Sequence, residues 1–167
     1  LRKFAKRDDG VLNDEVDLNE IVQSCLRLTA NQIGRKARVR LELDVSLPKV
    51  QGNFQRLEQV LVNILINASQ AIDKKSGEIT VRTAHLDGER EALLQVSDNG
   101  SGIDEKARKQ IFDPFFTTKR NQGGTGLGLS IAYGIIKEHK GRIDVESKLG
   151  AGTTFSIHVP VAPKDKP

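Results

Sequence analysis

The chain has 167 residues, a net charge of +4 at pH 7, 29% charged residues and 37% hydrophobic residues. These values are ordinary for one globular domain that is long enough to bury a core. Aromatic residues make up only 4% and Trp is absent, so we expect an aliphatic core. The basic residues are scattered among acidic ones rather than clustered with aromatics, which argues against nucleic-acid binding.

The single cysteine, Cys25, excludes an internal disulfide and a cysteine-based metal site, and its apolar neighbours indicate a buried structural thiol. A chain without disulfides is typical of a reducing compartment. No run of residues is apolar enough to span a bilayer, so we expect no direct membrane contact from this domain. Because the chain opens on Leu1 rather than Met, we expect it to be a fragment of a longer protein.

The first part of the chain predicts a linker, two strands and a helix. Residues 1–12 are charged and weakly apolar, which indicates the end of a linker from a preceding domain. Residues 14–18 predict a short edge strand, and residues 19–36 carry apolar side chains at helical spacing. Residues 39–45 alternate between apolar and charged side chains, which predicts a half-buried strand.

The rest of the chain predicts a long helix, two hairpins and two further helices. Asn53 is an N-cap for the long helix, which runs to about Ile72. The hairpin strands are 79–86 with 92–97, and 142–147 with 153–159. The further helices are 104–111 and 126–140, and the second ends at Gly141 as its cap. Because tight turns join neighbouring strands, we expect a largely antiparallel sheet with helices packed on one face.

One face of the long helix carries uncharged amides. Gln59, Asn63, Asn67 and Gln70 follow one another at spacings of four, four and three residues, which places them on the same face. An ordinary solvent-facing stripe would favour charged residues, and Asn costs up to about 0.7 kcal/mol against Ala inside a helix. Amide oxygens are neutral ligands suited to Mg²⁺. The stripe therefore predicts the wall of a polar cavity.

A polar turn at residues 98–102 follows a predicted core strand. Asp98, Asn99 and Gly100 are common in plain turns, and out of context a plain turn would be the better interpretation. Asp98, however, lies at the end of a buried strand, where it is placed to accept a hydrogen bond from an exocyclic amine such as that of adenine. Gly100 and Gly102 let the backbone pass close to another group.

A glycine-rich segment, residues 123–129, leads directly into a helix whose first backbone N–H groups and dipole favour phosphate. It is not a Walker loop, because Leu129 stands where that motif requires Lys, and it lacks the third Gly of the dinucleotide fingerprint. Just before it, three of the six Phe residues lie at 112–116. They predict an apolar anchor for a mobile loop, 114–125, whose Lys119 can reach a phosphate.

In this order, the motifs resemble those of the GHKL ATP-binding superfamily, and specifically the catalytic ATP-binding domain of bacterial sensor histidine kinases. The matches to its Asn box, first glycine box, Phe box and two later glycine boxes are residues 58–72, 98–102, 112–119, 124–128 and 150–153. The resemblance covers residues 14–161. In this family the glycine-rich segment forms a lid over the nucleotide, and the short lid of this chain is most similar to that of the nitrogen-regulatory kinases.

The resemblance implies an α/β two-layer sandwich of the Bergerat ATP-binding type, with a mixed, largely antiparallel sheet and helices packed on one face. It divides the chain into a linker from a dimerisation and phosphoacceptor domain at 1–12, the catalytic domain at 13–161 and a tail at 162–167. ATP and Mg²⁺ are the implied ligands. The parent protein would be a homodimer whose catalytic domain is cytoplasmic, with or without a membrane anchor elsewhere.

The resemblance also implies roles for individual residues. Asn67 would coordinate Mg²⁺, with Asn63 beside it as the second catalytic residue. Asp98 would bind the adenine amine, helped by Thr153 through water. The remaining residues expected around the nucleotide are Gln70, Gly100, Gly102, Ile103, Lys119, Gly124, Thr125, Gly126, Leu127 and Gly128.

Two positions depart from patterns within the superfamily. Many kinases carry Lys or Arg three residues after the Mg²⁺-binding Asn, where this chain has Gln70, so phosphate charge would be met by Mg²⁺, backbone N–H groups and Lys119 or Arg120. The gyrase, MutL and chaperone branch places a Glu general base where this chain has Asn63. That difference argues against efficient hydrolysis of ATP by this domain.

Transfer of the ATP γ-phosphoryl requires a histidine acceptor. None of His85, His139 and His158 has the acidic neighbour and the following Pro or Asn expected of one. We therefore expect the acceptor on the separate dimerisation domain, no autophosphorylation by this chain alone, and later transfer to the receiver domain of a response regulator. Two alternatives stay open: a GHKL-type ATPase, and a nucleotide-sensing module without phosphotransfer.

Overall fold

The computed structural model describes residues 12–85, 88, 90–117 and 128–164, which form seven strands and five helices. The strands are β1 (Asp14–Val16), β2 (Ala37–Glu42), β3 (Val50–Gly52), β4 (Gly77–His85), β5 (Glu91–Asp98), β6 (Arg142–Lys148) and β7 (Gly152–Pro160). The helices are α1 (Leu18–Leu28), α2 (Ala30–Ile33), α3 (Phe54–Gln70), α4 (Glu105–Arg108) and α5 (Gly128–Glu138).

Five of the strands form one sheet in the order β2-β4-β5-β7-β6. β2 and β4 are parallel, because the connection through α3 crosses back to the same end of the sheet, and the other neighbouring pairs are antiparallel. β1 and β3 form a separate two-stranded antiparallel sheet. The expected mixed, largely antiparallel sheet is confirmed. The sequence did not predict β3, because three residues are too few to show alternation.

The core lies between one face of the large sheet and the helices. Eight apolar strand residues face inward and are each at most 4% exposed: Ile79, Val81, Ala92, Leu94, Val96, Phe155, Ile157 and Val159. The buried apolar residues of α3 recur every three or four positions: Leu57, Val60, Leu61, Ile64, Leu65 and Ala68. Full burial of a large side chain contributes about 1.5–3 kcal/mol. Within the described part of the chain, no helix is long and apolar enough to cross a membrane.

Cys25 lies in this core on α1 and is fully buried. Its thiol donates to the backbone carbonyl oxygen of Glu58, with 3.4 Å between sulfur and oxygen. Burial, and in second place the charge of Glu58, raises the pKa of the Cys25 thiol to about 12. The thiol therefore stays protonated near neutral pH, as a structural cysteine does.

Side-chain caps set the starts of three helices. Asn53 caps α3 as predicted, and its side-chain oxygen accepts the backbone N–H of Arg56 at 3.0 Å. Asp104 caps α4 in the same way. Asp17 caps α1, so the chain enters a helix within the predicted strand 14–18, and β1 is shorter than expected.

The prediction of a single helix over residues 19–36 is wrong, because the chain breaks at Thr29 into α1 and α2. Thr29 has φ −103° and ψ 7°, outside the helical region. Its hydroxyl donates to the backbone carbonyl oxygen of Cys25 at 2.7 Å. A Thr side chain that binds the backbone four residues back bends and weakens a helix, and the spacing of apolar residues does not reveal such a bond.

The end of α5 also differs from the prediction. Lys140, not Gly141, has the left-handed backbone conformation, with φ 58°. The N–H of Gly141 donates to the Ile136 carbonyl at 2.9 Å and that of Lys140 to the Lys137 carbonyl at 3.0 Å, which is the Schellman pattern of helix ends. A Cβ on Gly141 would overlap the carbonyl oxygen of His158 in β7. Gly141 is therefore required by contact with the sheet and not by its backbone angle.

Candidate functional site

A row of polar side chains crosses the helix-facing side of the sheet where three strands meet. Asp98, the last residue of β5, is the register partner of Thr153 in β7, and Thr153 is the register partner of Ser147 in β6. Register partners place their side chains on the same face of a sheet. Asp98 and Thr153 are buried, at 9% and 4% exposed. Two predicted site residues, 55 positions apart in the sequence, are thus direct neighbours.

The Asp98 carboxylate is held by the turn that follows it. Its Oδ1 accepts the backbone N–H of Gly100 at 2.8 Å. The backbone N–H of Ser101 donates to the Ala71 carbonyl, just past α3, at 2.9 Å. These bonds fix the turn between the end of β5 and the end of α3, and so orient the carboxylate before any ligand binds.

Asn99 attaches the same turn to the start of β4. Its side-chain oxygen accepts the backbone N–H of Glu78 at 2.7 Å, and its side-chain nitrogen donates to the Ser76 carbonyl at 3.0 Å. The sequence predicts Asn99 only as a turn residue. Its role as a clamp depends on a segment about 20 positions earlier, which no local pattern connects to it.

The glycines of this region allow the turns to approach the protein backbone closely. A Cβ on Gly100 would lie 2.5 Å from the Ala71 carbonyl oxygen. Gly102 has φ 73°, and a Cβ there would overlap the Lys148 carbonyl oxygen. Gly152, with φ 123°, lies against the backbone of Asp98 in the same way. The predicted close approach is therefore real, and the neighbouring group is backbone from α3, β5 and β6.

Ser147 links the row to the segment after the turn. Its hydroxyl oxygen accepts the backbone N–H of Ile103 at 2.7 Å and lies 2.7 Å from the hydroxyl oxygen of Thr153. Ile103 was predicted to contact the nucleotide, and the structure places it beside this row. Ser147 itself was missed, although its inward position in the alternating pattern of β6, opposite Thr153, could have indicated it.

The amide stripe of α3 forms a second part of the site. Asn63, Asn67 and Gln70 are half-buried, and only Gln59 at the beginning of the stripe is exposed. The side-chain nitrogen of Asn63 donates to the carbonyl oxygen of Gly128, the first residue of α5, at 3.1 Å. The stripe therefore lies against the start of α5, as the wall of a polar cleft would, and Gln70 ends α3.

Several predicted nucleotide contacts lie outside the described residues. These are Lys119, Gly124, Thr125, Gly126 and Leu127, together with the alternative cation Arg120. Of the predicted apolar anchor, the structure shows Phe112 with its ring centroid 5.3 Å from that of Tyr133 and 6.4 Å from that of Phe155. Phe115 is 65% exposed and has φ 67°. Phe112 therefore attaches this segment to α5 and to the core.

His139 is a structural histidine. It is 4% exposed, its Nδ1 donates to the Ile135 carbonyl at 2.7 Å, and its Nε2 accepts the backbone N–H of Asn53 at 3.0 Å. Burial lowers the pKa of His139 below its ordinary value, so the ring is neutral in this arrangement. A Cβ on Gly52 would lie 2.5 Å from the ring, which explains the glycine there. The imidazole joins the end of α5 to the start of α3.

The chemistry of the site suits a nucleotide. At the base end, the buried Asp98 carboxylate lies beside the Thr153 hydroxyl, a set of acceptors that fits an amine donor. At the other end, Asn63 and Asn67 lie four residues apart on α3, Asn63 contacts the Gly128 carbonyl at the start of α5, and amide oxygens are ligands that fit Mg²⁺. The two ends are joined through the Ala71 carbonyl at the end of α3.

Comparison with known proteins gives the same assignment. Residues 52–163 match the family of histidine kinase-, DNA gyrase B- and HSP90-like ATPases. The signal transduction histidine-protein kinase AtoS of Escherichia coli K12 is 43% identical over 152 residues, which cover 90% of this chain and 24% of AtoS. The sensory histidine kinase/phosphatase NtrB of Vibrio alginolyticus is 35% identical over 154 residues, covering 87% of this chain and 43% of NtrB. The chain thus spans less than half the length of these relatives.

Solved structures agree with the sequence comparison. The catalytic domain of histidine kinase ThkA matches with a TM-score of 0.77 and 33% identity over 90% of this chain and 98% of that domain. Histidine kinase ThkA in complex with the response regulator protein TrrA matches with a TM-score of 0.72 and 29% identity, over 89% of this chain and 41% of that one. The chain belongs to the histidine kinase-, DNA gyrase B- and HSP90-like ATPase family and is an ATP-binding catalytic domain of the sensor histidine kinase type.

Proposed function

We propose that this domain binds Mg-ATP between α3 and α5 and donates the γ-phosphoryl group to a histidine on a separate dimerisation domain. The observation that carries the proposal is that two unlike groups of polar side chains are connected through α3, whose end is bonded to the turn after Asp98. Buried acceptors, Asp98 and Thr153, form the base end, and half-buried amides face the start of α5 at the phosphate end. That division corresponds to the two halves of a nucleotide.

At the base end, Asp98 accepts a hydrogen bond from the adenine amine. The carboxylate is already oriented by the Gly100 N–H, so little conformational freedom is lost on binding. The Thr153 hydroxyl, one strand away, supplies a further acceptor, directly or through water. Gly100, Gly102 and Ile103 shape the pocket around the base.

At the phosphate end, Asn67 would offer a neutral oxygen to Mg²⁺, and the first backbone N–H groups of α5, beginning at Gly128, would serve as donors to the phosphates. When bound, the metal ion neutralises phosphate charge, which is the main requirement of phosphoryl transfer. The Asn63 side chain donates to the Gly128 carbonyl and so fixes the start of α5 against α3. Because Asn63 is an amide and not a carboxylate, it offers no general base for water, which favours transfer over hydrolysis.

The partners follow from this reaction. ThkA has been solved with its response regulator TrrA, which supports a receiver domain as the later acceptor of the phosphoryl group. The first acceptor would be a histidine on the parent protein's own dimerisation domain, in a homodimer. ATP is available in the cytoplasm, so we place the catalytic domain in that compartment. The segments at 1–12 and 162–167 would be linker and tail.

The metal assignment is tested by Asn67→Ala, with Gln59→Ala as the matched control on the exposed beginning of the same stripe. Calorimetric titration with ATP is done in Mg²⁺ and again in EDTA. We expect Asn67→Ala to lose the Mg²⁺-dependent part of the affinity, a weakening of about tenfold or more, since bonds to charged groups are worth about 1.5–3 kcal/mol. Gln59→Ala should bind as the wild type does. Unchanged affinity and Mg²⁺ dependence in Asn67→Ala would overturn the assignment.

The phosphotransfer is tested by mixing this domain with the upstream dimerisation domain of its parent protein and γ-labelled ATP. An acid-labile label on the dimerisation domain is the expected result. No label under saturating Mg-ATP would favour the nucleotide-sensing module, and rapid release of free phosphate would favour the ATPase. This domain alone should remain unlabelled.

A further inference from the structure

Ser147 lies within hydrogen-bond distance of three groups of different kinds. Its Oγ is 2.7 Å from the Ile103 backbone nitrogen, 3.0 Å from the Gly152 carbonyl oxygen and 2.7 Å from the Thr153 hydroxyl oxygen. The side chain is half-buried and faces the helices beside the buried Thr153. A serine hydroxyl offers one proton and two acceptor lone pairs, so all three bonds can form only in one pattern.

The direction of each bond follows from its partner. The Ile103 N–H can only donate, so it takes one lone pair of Ser147. The Gly152 carbonyl can only accept, so the Ser147 proton is directed to it. One lone pair remains on Ser147, and it can only be filled by a proton from Thr153. The hydroxyl of Thr153 therefore donates to Ser147.

This pattern decides what Thr153 offers to a ligand. With its proton committed to Ser147, the Thr153 oxygen can act only as an acceptor. Its register partner Asp98 presents a carboxylate, which is also an acceptor. The base end of the cleft is thus an acceptor surface, which matches the amino group at position 6 of adenine and opposes the carbonyl group at position 6 of guanine.

We propose that Ser147 is a positioning residue that sets this hydrogen-bond polarity and thereby makes the domain select 6-aminopurine over 6-oxopurine nucleotides. The proposal rests on the nucleotide binding proposed above and adds its base specificity. A buried site arranged for a donor rejects an acceptor strongly, because the mismatched polar groups are left unpaired. Without Ser147, the Thr153 hydroxyl would be able to rotate and donate its proton, and the base end would tolerate a carbonyl.

The test measures dissociation constants for Mg-ATP and Mg-GTP by calorimetry in the wild type, Ser147→Ala and Ser147→Thr. Ser97→Ala is the matched control, because Ser97 in β5 and Thr154 in β7 form a hydroxyl pair at 2.8 Å on the opposite face of the same sheet. Urea unfolding of each variant shows that it is folded under the conditions of the titration.

We expect the wild type to prefer ATP, and Ser147→Ala to lower the ratio of ATP to GTP affinity by about tenfold, mostly through better binding of GTP. Ser147→Thr keeps the hydroxyl and should restore the ratio, and Ser97→Ala should leave it unchanged. An equal loss of affinity for both nucleotides in Ser147→Ala, with the ratio kept, would overturn the proposal and show a merely structural serine. A wild type that binds both equally would overturn it as well. A wild type that binds neither would instead refute the nucleotide site itself.

Discussion

The two ends of the cleft are built by different means. At the base end, the side chains of Asp98, Thr153 and Ser147 are register neighbours on adjacent strands, and the turn after Asp98 is bonded to both β4 and the end of α3. At the phosphate end, half-buried amides on α3 meet the start of α5 through the bond from Asn63 to the Gly128 carbonyl. Strand register therefore sets one end, and the packing of two helices sets the other.

This difference has a consequence for binding. Strand register cannot change by small steps, because a slip of one residue moves every side chain to the other face. Two helices can shift against each other by an ångström or two while their packing is kept. We therefore expect the base end to be preorganised and the phosphate end to adjust when a nucleotide binds, and the variants below test this comparison.

The largest expected effect is at Gly152, whose backbone lies against Asp98. Gly152→Ala should lower the free energy of unfolding by about 4 kcal/mol, because overpacking costs about 1–3 kcal/mol and a strained backbone angle about 1–3 kcal/mol. Gly150→Ala is the matched control in the same turn. It also has positive φ, 79°, but a Cβ there meets nothing within 4 Å, so it should cost about 1–2 kcal/mol.

Urea unfolding followed by far-ultraviolet circular dichroism measures both variants. Equal losses of unfolding free energy in the two variants would contradict the close approach of the β6–β7 turn to β5. If Gly152→Ala is too unstable to purify while Gly150→Ala can be purified, Gly152→Ala has the larger loss of stability, as expected.

Smaller losses of stability are expected when one asparagine side chain is removed at each end of the site, in two separate variants. Asn99→Ala removes two hydrogen bonds to the start of β4, and we expect a loss of about 2 kcal/mol of stability. Asn63→Ala removes the bond to the Gly128 carbonyl, and about 1 kcal/mol should be lost. Both stabilities come from denaturant unfolding without nucleotide.

Hydrogen exchange separates the two variants further. Asn99→Ala should raise exchange of backbone amides in the turn 98–102, and Asn63→Ala should raise it in the first turn of α5. Exchange that increases equally in both regions for either variant would refute the view that the two ends are held independently.

The smallest effect is at His139 and is absent at neutral pH. Burial lowers its pKa in the folded state below the ordinary value near 6.5, so the unfolded chain binds the proton more tightly. Stability should be unaffected above pH 6.5 and should fall as the pH decreases from there towards the folded-state pKa. Arg56 and Glu138 flank the ring with opposing influences and do not reverse the direction.

The measurement is the free energy of unfolding at pH 7.5 and pH 5.5 for the wild type and for His139→Gln. Provided that the variant is folded at pH 7.5, its loss of stability on acidification should be smaller than that of the wild type. The same loss of stability in both proteins would show that His139 does not contribute to the pH dependence of folding.

Much of the fold could be predicted because its signals are local. The N-cap at Asn53, the apolar spacing of α3 and the tight turns of the two hairpins are each signals within one stretch of sequence, and the structure has the corresponding helix and strands. The failures have a common cause. The helix break at Thr29 depends on one side-chain hydrogen bond, and β3 is formed by pairing with the distant β1, so neither leaves a pattern in the local sequence.

The residue types of the site could be predicted from local sequence alone: an amide stripe on one helical face, an acidic residue at a strand end and glycines at the turns. Those follow from helical and strand periodicity, which act over a few residues. Which of these residues come into contact depends on how the whole chain folds. The alignment of Asp98 with Thr153 and Ser147, the clamp from Asn99 to β4 and the approach of Asn63 to Gly128 all join distant segments. Such contacts depend on sheet order and helix packing, which no local pattern contains.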